Sequence, residues 1–110
     1  MKENSTFAPK ANALQDYQFT IIVPVYNEEE NLPRVEKELL AYTKIASKKT
    51  GILFVNDGSK DNSQALIEET CTRNEGFNYI SFKENRGLSA AIKAGFDHVE
   101  TPLLGYIDSD

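Results

Sequence analysis

Two kinds of hydrophobic spacing alternate along this chain, and that alternation restricts the fold more than any other feature. Phe19-Thr20-Ile21-Ile22-Val23-Pro24-Val25 is a short, β-branched, nearly unbroken apolar run, the pattern of a strand buried on both faces. Pro24 has no N–H to give to a ladder, so this strand should end near it. Behind Asn31, a capping residue, Leu32, Val35, Leu39 and Tyr42 recur at helical spacing. Glu28, Glu29 and Glu30 stand near the positive end of that helix, and Lys44, Lys48 and Lys49 near its negative end, before Gly51 as a stop signal. The pattern then repeats. Ile52-Leu53-Phe54-Val55 reads as a second buried strand, broken by Asn56-Asp57-Gly58-Ser59. Asp61, Asn62 or Ser63 can cap a second helix running to about Asn74, with Leu66, Ile67 and Cys71 near one stripe. Phe77-Asn78-Tyr79-Ile80-Ser81-Phe82 alternates as a third strand with one face more exposed. Asn85-Arg86-Gly87 turns into a third helix carrying Leu88, Ala91, Ile92, Gly95, Phe96 and Val99, which Thr101-Pro102 stops. Leu103-Leu104-Gly105-Tyr106-Ile107 is the fourth strand and ends at Asp108.

This order predicts an α/β, Rossmann-like fold: a mostly parallel sheet, joined by right-handed crossovers, with helices on both faces. The 110 residues suffice for one small domain. It is expected over residues 19–110, behind a polar and flexible leader at residues 1–18. With 17 acidic against 12 basic side chains, the net charge of −5 argues against nucleic acid or an anionic membrane held by broad electrostatics. Cys71 is the only cysteine, which excludes an internal disulfide and a multi-thiolate zinc site; it is expected as a half-buried helix residue. His98, the only histidine, is expected as an ordinary helix residue with no second imidazole for a metal pair. The leader lacks the apolar core of a signal peptide, and no apolar run approaches the roughly 18–20 residues needed to span a bilayer. A cytoplasmic location follows as the expectation.

Parallel strands place their carboxyl ends on one edge of the sheet, where open α/β folds bind ligands. Three of the four strand ends are acidic or amide-rich: Asn27-Glu28-Glu29-Glu30, Asn56-Asp57 and Asp108-Ser109-Asp110. A glycine-rich phosphate loop is missing from the first turn, and three carboxylates there would repel an unassisted diphosphate. A hard divalent cation, Mg²⁺ or Mn²⁺, removes that conflict by sharing carboxylate and phosphate oxygens. Asp108 and Asp110 suit that task, although their spacing alone fits a solvated loop better, and it is their place at a strand end opposite two other acidic loops that brings the metal reading level with it. Asp57 can accept from a pyrimidine ring N–H or a ribose hydroxyl, or simply sit in a turn, with Ser59 and Asp61 capping the second helix. Tyr26 and Pro24 can form one wall against a flat base. Arg86, just before a helix N-terminus, is open to two readings: a cation facing phosphate, or a solvated partner of Glu84. Lys93 is expected to be a surface lysine.

These stretches together resemble the inverting family-2 glycosyltransferases of the GT-A fold. The likeness rests on Ile22-Val23-Pro24-Val25-Tyr26-Asn27-Glu28-Glu29-Glu30-Asn31-Leu32 and on Phe54-Val55-Asn56-Asp57-Gly58-Ser59-Lys60-Asp61-Asn62-Ser63. It continues through Asn85-Arg86-Gly87-Leu88-Ser89-Ala90-Ala91-Ile92-Lys93-Ala94-Gly95-Phe96 and closes on Ile107-Asp108-Ser109-Asp110. The resemblance implies a nucleotide-diphosphate-sugar pocket, for a UDP- or GDP-linked donor, lined by Pro24, Tyr26 and Glu28, with Glu28 near the ribose and Asp57 on the base. Asp108 and Asp110 would form the Asp-x-Asp motif that holds the divalent metal and the diphosphate. Many relatives carry a second aspartate where this chain has Asn56. The Asn-Arg-Gly-Leu segment is similar to the branch of polyprenyl-phosphate sugar transferases, such as dolichyl-phosphate mannose synthase. It implies a polyprenyl phosphate or a glycan as acceptor, and a parent at the cytoplasmic face of a membrane.

The family places its general base and acceptor pocket after the Asp-x-Asp motif, so no catalytic residue is expected before residue 110. The chain is accordingly expected to be the donor-binding front of a longer domain, with an uncovered sheet edge that favours self-association. Of three other readings, a non-enzymatic nucleotide- or metal-binding module stays open for this stretch itself, and two fit less well. A phosphoacceptor receiver domain needs a lone aspartate after the third strand, where Phe82-Lys83-Glu84 stands. A nucleotidyltransferase needs a basic, glycine-rich first loop, where Glu28-Glu29-Glu30 stands.

Overall fold

The computed structural model describes residues 5–7, 17–101 and 103–107. In chain order its elements are β1 (Ser5–Phe7), β2 (Phe19–Val25), α1 (Leu32–Ile45), β3 (Thr50–Asn56), α2 (Ser63–Arg73), β4 (Phe77–Phe82), α3 (Leu88–His98) and β5 (Leu103–Tyr106). The strands form one sheet in the order β1-β4-β3-β2-β5. β4, β3, β2 and β5 run parallel, and β1 alone is antiparallel, pairing Ser5 with Phe82 and Phe7 with Ile80. That edge strand had no counterpart in the periodicity of the leader.

Alternation along the strands divides the core in two. Ile21, Val23, Val25, Ile52, Phe54 and Phe77 face α1 and α2, where Leu32, Val35, Leu39 and Ile67 meet them. Ile22, Leu53, Val55, Ile80 and Phe82 face the other way, onto Ala91 of α3 with Ala90, Ala94 and Val99 around it. Each fully buried side chain of this kind stabilises the fold by about 1.5–3 kcal/mol relative to exposure. Small residues let α3 lie close: a Cβ added to Gly95 would stand 2.7 Å from Ile22 Cγ2. The two-sided burial of β2 and β3 explains why their sequences read as continuous apolar runs rather than as alternation.

One local expectation changes. Gly51 does not stop α1: Ala46 is its C-cap, and Gly51 lies inside β3, paired with Thr20. Strand β2 does end near Pro24, one residue past it at Val25. Ile22 accepts the Ile107 N–H at 3.1 Å and so directs its polar groups toward β5. Pro24, two residues on, has the same orientation, and the β2–β5 ladder has already ended at Ile22. Its missing N–H therefore breaks no bond to β3. No helix among the described residues is long and apolar enough to cross a membrane.

Candidate functional site

Strand β2 is the point where strand order reverses, from β3 and β4 on one side to β5 on the other. Its seven residues all pair with β3, but only Phe19 to Ile22 pair with β5. Among the described residues the carboxyl end of β2 therefore has one open side. A cavity of about 280 Å³ lies at this end, lined by Pro24, Val25, Tyr26 and Glu28 on one side and by Asp57, Asn85, Gly87 and Leu88 on the other.

The loops after β2 and β3 are laced together. Asn27, at φ 53°, donates its N–H to Ser59 Oγ (2.9 Å) and accepts the Lys60 N–H on Oδ1 (2.8 Å). Asparagine tolerates this left-handed conformation better than most residues. The Glu28 N–H donates to Ser63 Oγ (2.9 Å) and the Glu29 N–H to Asp61 Oδ2 (3.2 Å), while Glu29 Oε1 accepts the Asn62 N–H (2.7 Å). Asp61 also takes the Ser63 N–H on Oδ1 at 2.9 Å, so it does support the start of α2. Burial pushes the Asp61 pKa upward, but hydrogen bonds from the Ser63 hydroxyl and the Ser63 and Glu29 amides outweigh it and hold the carboxyl below its ordinary value. Ser59 is not a cap of α2; its hydroxyl serves the neighbouring loop instead. Nor does Asn31 cap α1 with its side chain, which donates to Glu28 Oε1 at 2.8 Å and so fixes that carboxylate at the cavity rim.

Asp57 holds the opposite wall. It is only 4% exposed, and its N–H continues the sheet by donating to Val25 O at 2.8 Å. Its carboxylate accepts the Arg86 N–H on Oδ1 at 2.6 Å and the Gly87 N–H on Oδ2 at 2.9 Å. Asn85 Nδ2 donates to the same Oδ2 at 3.0 Å and to the Asp57 carbonyl at 3.2 Å. Two backbone donors and one amide thus converge on one carboxylate and shape the entry to α3. Gly87, its N-cap, sits at φ 100°, a conformation open to glycine at little cost. Gly58 (φ 71°) brings the loops together: an added Cβ would overlap the carbonyl carbon of Glu84 and the nitrogen of Asn85.

The residues singled out in the sequence thus separate into three groups. Pro24, Tyr26, Glu28 and Asp57 line one cavity, with Tyr26 42% exposed at its mouth. Arg86 contributes its backbone; its guanidinium lies 4.4 Å from the centroid of the Phe82 ring rather than in an ion pair with Glu84. Asp108 and Asp110 lie outside the described residues. Among the described residues, no three His, Cys, Asp or Glu side chains gather as a metal group. The roles of Asn27 and Asn85 leave no local signal in the sequence, because their partners lie 33 and 28 positions away. Lys93 pairs with Asp97 at 2.9 Å on the surface of α3, and half-buried His98 ends that helix. Cys71 is a half-buried residue of α2 whose thiol burial, aided by the Glu36 and Glu68 charges, pushes up to about 12, leaving it protonated and unreactive at neutral pH.

Comparison with known proteins bears on the same region. The family model of glycosyl transferase family 2 matches residues 20–110. Among solved structures, the mannosyltransferase PcManGT from Pyrobaculum calidifontis, in complex with GDP-Man and Mn2+, superposes with a TM-score of 0.72 at 20% identity. The match covers 86% of this chain and 28% of that one. S. aureus TarS 1-349 in complex with UDP-GlcNAc gives a TM-score of 0.71 at 23% identity, covering 84% of this chain and 26% of that one. Glucosyl-3-phosphoglycerate synthase from Mycobacterium tuberculosis, with Mn2+, UDP and glucosyl-3-phosphoglycerate, gives 0.67 at 16% identity, covering 91% and 36%. These likenesses share the fold, and the chain spans between 26% and 36% of the length of the three proteins. With the family model matched over residues 20–110, from the second residue of β2 onward, the chain belongs to glycosyl transferase family 2.

Proposed function

We propose that this protein binds a nucleoside-diphosphate sugar at the cavity beyond β2 and β3 and takes part in transferring its sugar, with inversion, to an acceptor. One observation carries the reading: a buried carboxylate, Asp57, is fixed beside Pro24, Tyr26 and Glu28 at the reversal of strand order, in a chain of this family. Pro24 and Tyr26 offer a flat apolar wall to the base, Asp57 an acceptor for its edge N–H, and Glu28 a carboxylate for the ribose hydroxyls. The acceptor oxygen forms its bond to the anomeric carbon as the bond to the diphosphate oxygen breaks, and the nucleoside diphosphate leaves. None of residues 19–110 is assigned as the general base.

A divalent cation, Mg²⁺ or Mn²⁺, fits the donor chemistry of this edge, since Asp108 and Asp110 follow directly on Ile107, which is bonded to Ile22 of β2. Held by those hard carboxylates, the cation would neutralise diphosphate charge. Solved neighbours contain Mn2+ with GDP-Man or with UDP, which supports a metal-assisted donor and leaves both bases in play. The acceptor is proposed as a polyprenyl phosphate or a glycan, at the cytoplasmic face of a membrane for the former.

β5 also carries a proposal. It is a sheet edge among the described strands, with Leu104, Tyr106 and Ile107 exposed, and an apolar groove of about 330 Å³ runs beside it past Phe19, Leu39 and Tyr42. A second copy of the chain is the proposed occupant; sedimentation should show concentration-dependent association, and a monomer at all concentrations would overturn it. For the site, calorimetric titration with UDP and GDP, with and without Mn²⁺, is the direct test. Metal-dependent binding that disappears in Asp57→Ala and Asp110→Ala is expected. Tight binding that ignores the metal would sink the site as assigned.

A further inference from the structure

Asp57 offers fewer free acceptors than its charge suggests. A carboxylate has about four lone-pair sites. The Arg86 N–H takes one on Oδ1 (2.6 Å), while the Gly87 N–H (2.9 Å) and Asn85 Nδ2 (3.0 Å) take two on Oδ2. Among the described residues Oδ2 is therefore filled, and Oδ1 keeps one lone-pair site. Of the three donors, only Asn85 contributes a side chain. Resting on the nucleoside-diphosphate reading of this cavity, we propose that Asn85 is a specificity-determining residue: by filling Oδ2 it selects a base with a single edge N–H, the imide of a uracil-type pyrimidine, over guanine.

The edges of the bases differ in how many acceptors they require. Guanine presents N1–H and N2–H side by side, and a carboxylate serves that pair best with both oxygens free. With Oδ2 occupied, one of its two charge-assisted hydrogen bonds is lost. Cytosine and adenine place a ring-nitrogen lone pair beside their amino group, and that lone pair would face the carboxylate. The uracil imide has one N–H between two carbonyls and needs one acceptor, which is what Oδ1 retains. The selection arises in the loop that positions Asp57, not in Asp57 alone. Specificity of this kind is a difference between affinities.

The test compares UDP, GDP and N3-methyl-UDP by calorimetry on the protein with Mn²⁺ present. UDP is expected to bind about tenfold or more tightly than GDP, because guanine leaves one edge N–H unpaired against the carboxylate, and N3-methylation is expected to weaken UDP by about tenfold, because it removes the imide hydrogen bond to a charged acceptor. Asn85→Ala frees a site on Oδ2 while the Arg86 and Gly87 amides still hold the carboxylate, so the UDP-to-GDP preference should shrink toward unity. Equal binding of UDP and GDP by the unaltered protein, indifference to N3-methylation, or an unchanged preference in a folded Asn85→Ala variant would each overturn the proposal while leaving a nucleotide site in place. If none of the three ligands binds, the proposal and the site reading fail together. A thermal melt checks the variant, and if it does not fold, the N3-methyl-UDP comparison on the unaltered protein decides.

Discussion

The loops on the two sides of Asp57 are held in different ways. Between residues 27–31 and 59–63 the ties are many and reciprocal, with amides of each loop bonded to side chains of the other. Residues 85–87 converge instead on a single carboxylate. Distributed bonds tolerate the loss of one member, because the remaining ones keep the geometry and water satisfies an exposed donor. A convergent arrangement has no such reserve. Removing the shared acceptor strands several donors at once, and each buried one costs about 1–3 kcal/mol. The side of the cavity that could discriminate among ligands is thus also its most concentrated weakness.

Four substitutions sharpen that contrast. Gly58→Ala should do the most damage, about 3–5 kcal/mol in a denaturant melt, since it meets both a positive φ and the backbone of Glu84 and Asn85. Asp57→Ala should cost about 2–4 kcal/mol by the same measurement; a loss below 1 kcal/mol would show that the 85–87 loop does not depend on it. Away from the cavity, Glu36 ties α1 to α2 by accepting from Arg73 Nη2 at 2.7 Å and Asn74 Nδ2 at 2.7 Å. Glu36→Gln should cost about 1–2 kcal/mol, discounted because Arg73 is half exposed. The Arg73 hydrogen bond, against a desolvation cost, leads the effects that hold the Glu36 pKa below its ordinary 4.5. Its stabilisation is therefore complete above the unfolded-state value near 4.5 and is lost as pH falls through the lower folded value. Urea melts between about pH 3 and 6 should show a shallower acid slope in the variant. Ser59→Ala should be the mildest, about 0.5–1 kcal/mol, because Asn27 keeps its bond to Lys60.

What the chain revealed in advance follows from the range of the interactions. Strands β2, β3 and β4 and all three helices were legible because burial on one or two faces writes a period into adjacent residues. β1 was not: Ser5, Thr6 and Phe7 are too few to show alternation, and their pairing partner is an edge more than seventy residues away. At the site, the residue types and their strand ends were legible, as Pro24, Tyr26, Glu28 and Asp57 on one cavity illustrate. Their hydrogen-bond partners were not. Ser59 looks like a cap for the helix that follows it, and only the fold reveals the Asn27 amide as its partner. Arg86 drew attention for its charge, yet it is its backbone N–H that reaches Asp57.

The sealing of the Arg86 and Gly87 amides has a consequence in time as well as in energy. Loop amides ordinarily trade their hydrogens with solvent quickly, because nothing must open first. Arg86 and Gly87 lie outside every helix and strand, yet both N–H groups are closed off by the Asp57 carboxylate. In deuterated water they should keep their protons as long as the end of β3 stays in place, a slow-exchanging island between two fast-exchanging neighbours. Its lifetime would read out how often the crevice opens, without any ligand present.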